Sequence, residues 1–146
     1  MNNEILRQAT LLIARVGIGT IFIAHGWQKL FTKGLSATAD GFASMGIPLP
    51  TVTAYITTFL EIVGGGLVVL GLLTSVVSAL LASTMMGALV FAHLEDGLVG
   101  GYEFVLALGL LCLVPVAFGP GRFSLSAALG GTTNGLGSHR RAELVS

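Results

Sequence analysis

Six ionisable side chains lie in or at the ends of stretches that are otherwise almost wholly apolar: Arg15, His25, Lys29, Glu61, His93 and Glu103. In hydrocarbon a charged side chain costs roughly 2.5–3.5 kcal/mol on insertion scales, so each such group needs a partner, water or a task. Residues of these types suit two kinds of chemistry. A carboxylate among guanidinium and ammonium groups can form a buried ion network that fixes how helices pack. The same groups can instead line a polar pocket for a small redox-active or hydrogen-bonding ligand, as bundle cores do between facing helices. A third outcome is that some of them reach lipid headgroups.

Spacing brings several of the six together. On an ideal helix Arg15, Gly19, Phe22, Gly26 and Lys29 form one stripe, and His25 and Lys29, four apart, share a face. If Phe31 and Val52 mark one membrane boundary, His25 lies about 9 Å deep, Glu61 about 13 Å and Arg15 about 24 Å. Glu61 is then within side-chain reach of the first helix, with either Arg15 or Lys29 as its partner. His93 and Glu103 fall near the same boundary. Two histidines on different helices can flank a haem, but the depths of His25 and His93 differ by about a turn, which disfavours it. No Glu-x-x-His pair is present for a dinuclear metal core. A mononuclear site from His25, His93 and a carboxylate is the remaining metal reading, and no metal is expected. Trp27, Tyr55 and Tyr102 read as interface anchors, and Cys112 as inert packing.

The elements that must position these groups follow from composition. The 146 residues are 53% hydrophobic and only 10% charged, and mean hydropathy is +0.90. Too few polar groups exist to cover a water-facing surface, which implies an integral membrane protein. Zero net charge gives no basic field for nucleic acid, and a single cysteine excludes an internal disulfide or CxxC exchange chemistry. The pattern predicts an all-α, four-transmembrane-helix bundle, with spans at about residues 10–31, 52–73, 76–93 and 102–118 within a membrane domain of residues 1–129. Residues 130–146 read as a flexible cytoplasmic tail. The linker 32–50 carries Ala39, Phe42 and Met45 at helical spacing, so it holds either a short interfacial helix between helices 1 and 2 or a plain loop. Ala79, Ser83 and Gly87 form a small-residue stripe on the third span. Four spans put both termini on one side, with Arg7, Arg122, Arg140 and Arg141 facing Lys29 and Lys33 across the bilayer. The positive-inside rule makes that side cytoplasmic, in a plasma-membrane, multi-pass protein.

The chain resembles the DoxX family of small four-helix membrane proteins. The resemblance rests on Arg15…His25-Gly26…Lys29 in the first helix and Gly46-Ile47-Pro48 before the second. Glu61 with Gly64-Gly65, Gly71-Leu72-Leu73-Thr74, Tyr102-Glu103 and the closing Gly119-Pro120-Gly121-Arg122-Phe123-Ser124-Leu125 complete it. It covers residues 8–128. One departure is Ser126, where the family's closing motif usually has an aspartate. The resemblance implies membrane redox chemistry: DoxX-like proteins include thiosulfate:quinone oxidoreductase subunits, and an actinobacterial relative is linked with a complex handling thiol and superoxide stress. Most members have no established activity. The resemblance fits a subunit of a redox complex in the bilayer, with a quinone or similar small molecule as the expected ligand of the polar pocket. His25 or Glu61 would exchange protons with that ligand, and Lys29 or Arg15 would balance charge. No motif encodes a cofactor and no self-sufficient catalytic motif is present, so electrons would travel through a bound quinone or a partner. The competing expectation is a non-catalytic accessory subunit of a respiratory or other membrane complex, its buried charges serving helix packing. A small transporter is a weaker third, for want of an inverted repeat.

Overall fold

The computed structural model describes residues 2–94 and 96–130; the tail from residue 131 and Glu95 lie outside the described residues. Among the described residues all regular structure is helical. Four helical stretches are long and apolar enough to cross a bilayer: Asn3–Lys33, Pro50–Leu70, Thr74–His93 and Leu98–Phe118. Their outward faces carry large apolar side chains such as Ile13, Val63, Leu80 and Leu110, each about half exposed or more. In water such a surface would aggregate; against lipid tails it is the expected solvent face.

The first span is built from α1 (Asn2–Trp27) and a π-helical extension, Gln28–Lys33. At 1.5 Å per residue its 31 residues run about 46 Å, well beyond a hydrocarbon core of about 30 Å. The polar first turns are helical because they are locally stitched. The Gln8 side-chain amide donates to Glu4 at 2.6 Å, and Arg7 lies 3.6 Å from the same carboxylate. Such i,i+3 and i,i+4 pairs support an exposed helix start. The linker forms a separate ten-residue helix, α2 (Leu35–Ser44), that turns Thr38 and Ala39 inward.

The second span comprises α3 (Pro50–Phe59), a π turn at Leu60–Gly64 and α4 (Gly65–Leu70). Proline at its first turn suits a position whose N–H has no helical acceptor. The span ends at Gly71, whose φ of +76° is left-handed. There Gly71 N–H donates to Val68 and Leu72 N–H to Leu67, at 3.1 and 2.9 Å. This double bond pattern is the Schellman stop, which favours glycine at that position. The chain reverses within three residues into α5 (Thr74–Ala88) and its π extension Leu89–His93. The fourth span bends at Val99 and Gly100, which are not helical, before the regular α6 (Glu103–Phe118).

Short connections make the spans antiparallel neighbours. α1 packs on α4 and α6, and α5 packs on α6, so the four spans close into a bundle. Its centre is one cluster of Ile18, Phe22, Val68, Val77, Leu81, Leu108 and Cys112. Every span contributes to it. Two polar sites lie on either side of this dry layer, one towards α2 and one at the end carrying the N-terminus.

Candidate functional site

The site towards α2 begins with a close helix crossing. A Cβ on Gly65 would lie 2.7 Å from the Gly19 carbonyl oxygen, and one on Gly26 only 2.9 Å from the Thr58 carbonyl oxygen. Only glycine lets the first two spans approach so closely, the small-residue packing common between membrane helices. The crossing brings Lys29 against Glu61. Lys29 Nζ donates to Glu61 Oε1 at 2.6 Å; the Glu61 side chain is 1% exposed and that of Lys29 21%.

Cβ direction explains why Lys29, and not Arg15, takes Glu61. Helical side chains lean towards their own helix N-terminus. The first two spans are antiparallel, so Lys29 leans deeper while Glu61 leans back towards α2, and the two converge. Arg15, deeper than Glu61, leans away from it. Both members of the pair also sit in π turns, Gln28–Lys33 and Leu60–Gly64. A π turn has poorer hydrogen-bond geometry than an α turn and recurs at functional positions.

Surrounding groups complete the pocket wall. The Phe42 ring of α2 stands 5.9 Å from Lys29 Nζ, within cation–π range. The Thr38 hydroxyl donates to the Gly34 carbonyl at 2.9 Å within the first turn of α2 and lies 3.5 Å from the Lys29 carbonyl of the first span. His25, half-buried, faces Phe104 of α6 at 5.7 Å between ring centroids. Two buried acceptors on adjacent turns, Glu61 Oε2 and Thr58 Oγ1, have no protein hydrogen-bond partner. An unpaired carboxylate oxygen in so dry a place is costly. Chemically, this is a carboxylate held beside an ammonium, with acceptor capacity left over.

The second polar site lies at the opposite end of the bundle. Arg15, 1% exposed, donates to the carbonyl oxygens of Pro120 and, at 2.7 Å, Phe123. The Gln8 side-chain oxygen accepts the Arg122 N–H at 2.7 Å, and the Ser126 hydroxyl donates to the Gly71 carbonyl. Together these bonds fasten the segment after α6 to the first span and to the turn between the second and third. At position 126 the hydroxyl thus holds a backbone oxygen, and carbonyls hold the two terminal nitrogens of Arg15, while its buried Nε has no protein partner.

Of the remaining sequence candidates, each binds within its own loop. His93 Nδ1 lies 3.0 Å from an Asp96 oxygen, and Glu103 accepts the Gly100 N–H at 3.1 Å. The structure therefore pairs Lys29 with Glu61, sets His25 against Phe104, and holds Arg15, His93 and Glu103 elsewhere. No group of three potential metal ligands occurs among the described residues. A cavity of about 480 Å³ opens between the start of α1 and the end of α6, and one of about 100 Å³ lies between α5 and α6; neither is lined by Lys29 or Glu61. Sequence reasoning missed Thr38, which forms part of the cover, and the carbonyl acceptors of Arg15. Helical period marks Thr58 as a neighbour of Glu61, three residues away, but backbone acceptors in a loop leave no trace in residue types.

The chain is similar in sequence to known membrane proteins. The DoxX family model matches residues 10–94, more than half of the chain. A Bacillus subtilis protein named "Putative oxidoreductase CatD" is 37% identical over 121 residues, covering 83% of this chain and 86% of its own length. The Escherichia coli inner membrane protein YphA is 30% identical over 128 residues, covering 82% and 89%. The Mycobacterium tuberculosis membrane protein Rv3486 is 33% identical over 135 residues, covering 82% and 81%. No solved structure matches the chain. With its four apolar spans and relatives named as membrane proteins, the chain belongs to the DoxX family of multi-pass membrane proteins.

Proposed function

We propose that this protein is a membrane subunit of a redox assembly in which Glu61, Lys29 and His25 serve a quinone headgroup. The observation that carries the reading is a buried carboxylate with one oxygen on Lys29 and the other unpaired. A quinone gains two electrons and two protons on reduction. A partner subunit would supply the electrons, since the chain encodes no redox cofactor motif. His25 and Glu61, each first taking up a proton from water, would deliver the two protons to the quinone oxygens, and Lys29 would offset the negative charge that electron arrival creates. The relative named as an oxidoreductase supports the redox part. The reading places the protein in the plasma membrane with its N-terminus in the cytoplasm.

Purification in mild detergent followed by quinone extraction tests it. Wild type is expected to carry quinone, and Glu61→Gln and His25→Ala to lose most of it while keeping their helix content. Absence of quinone from the wild type, or its full retention in both variants, overturns the reading.

One observation favours a second reading, a non-catalytic accessory subunit whose charges hold helices together. Glu61 is almost fully covered, and neither cavity reaches it. On that reading Glu61→Gln alters bundle stability and leaves the redox activity of the assembly unchanged.

A further inference from the structure

We infer that the groove between the start of α1 and the end of α6 binds an anionic phospholipid, with the phosphate at Arg7 and an acyl chain running past Leu11 and Val114. The groove is about 480 Å³ and is lined chiefly by Leu6, Arg7, Thr10, Leu11, Val114 and Phe118, a volume within the range of small-molecule sites. Its chemistry is graded along the membrane normal. Arg7 and Phe118 share one level, with the guanidinium 5.7 Å from the ring centre. Leu11 and Val114 lie one helical turn further in, about 6 Å deeper. A cation at the mouth over an apolar floor matches a phosphate above its chain.

Charge selects among lipids. Among the described residues the only carboxylate at the mouth is Glu4, which accepts the Gln8 amide at 2.6 Å and lies 3.6 Å from Arg7 in an exposed pair. Both Arg7 and Arg122 act on it electrostatically. Among the described residues, two guanidiniums against one carboxylate leave one positive charge over, the complement of a phosphodiester that carries no second, balancing group. A zwitterionic headgroup brings its own cation to that mouth. A quinone's isoprenoid tail could lie on the floor but leaves the arginines without an anion.

Native mass spectrometry of the detergent-purified protein, offered phosphatidylglycerol or phosphatidylcholine with identical chains, tests the inference. Wild type is expected to retain phosphatidylglycerol about fivefold better, the preference that one nearby arginine confers. Arg7→Gln removes that preference. Thr10→Trp, at an exposed position, fills the groove and lowers retention of both lipids. Unchanged helix content and melting temperature in both variants show that the bundle is intact. Equal retention of the two lipids by wild type, or undiminished phosphatidylglycerol on Thr10→Trp, overturns the inference.

Discussion

Lys29 and Glu61 meet because each leans towards its own helix N-terminus, and in antiparallel neighbours those directions converge. The sequence left Glu61 a choice between Arg15 and Lys29, since depth alone put it within reach of both. Direction resolves the choice, and it was legible in principle once the spans were known to be antiparallel. The pair also makes a prediction about energy. Removing one partner of a buried ion pair strands the other charge and costs about 3–5 kcal/mol, whereas exchanging both for apolar groups is often neutral. Lys29→Met alone should therefore destabilise the bundle strongly, and Lys29→Met with Glu61→Leu should recover most of the loss. Denaturant-induced unfolding in detergent micelles measures both. A double variant as unstable as the sum of its single changes would show that the two residues act independently.

At the scale of elements, the four spans were readable from hydropathy because the apolar runs are long and charges within them few. The helix Leu35–Ser44 was less so, since two turns of amphipathic pattern fit a loop as well. The π turns at Gln28–Lys33 and Leu60–Gly64 were not legible at all. A stripe drawn at 3.6 residues per turn assumes an uninterrupted α-helix, and one inserted residue rotates everything beyond it. The crossing of the first two spans, however, rests on glycines whose roles differ sharply. A Cβ at Gly65 would meet Gly19 backbone at 2.7 Å, whereas one at Gly66 meets nothing within 4 Å. Gly65→Val should force the helices apart and cost about 1–3 kcal/mol, as overpacking does. Gly66→Ala should be neutral or stabilising by up to about 1 kcal/mol, because alanine loses less backbone entropy. Thermal melts of the two variants separate these outcomes, and equal melting temperatures would mean that the Gly19–Gly65 contact carries no weight.

Across the whole molecule, the two polar sites and the dry core between them assign opposite characters to the two ends. The end carrying the N-terminus has Arg7 and Arg122 exposed or partly so, while at the α2 end Lys29 is committed to Glu61 and Lys33 is the exposed cation. Counting a lysine already neutralised inside the bilayer overstates the positive charge of the α2 end. Leaving it out strengthens the asymmetry that governs orientation, since exposed Lys and Arg near span ends are what the rule weighs. The N-terminal end should therefore face the cytoplasm. Single cysteines test this in a Cys112→Ser background, where the native thiol, fully buried in the core, is removed so that it cannot confuse labelling. Asn3→Cys sits at the start of the first span and Ser44→Cys at the end of α2, beyond the span's other end, both at exposed positions. In intact cells a membrane-impermeant maleimide should label Ser44→Cys and spare Asn3→Cys, and Asn3→Cys should become reactive only after the membrane is opened. Labelling of Asn3→Cys alone would invert the protein, and labelling of both from outside would mean that Asn3–Lys33 does not cross the bilayer.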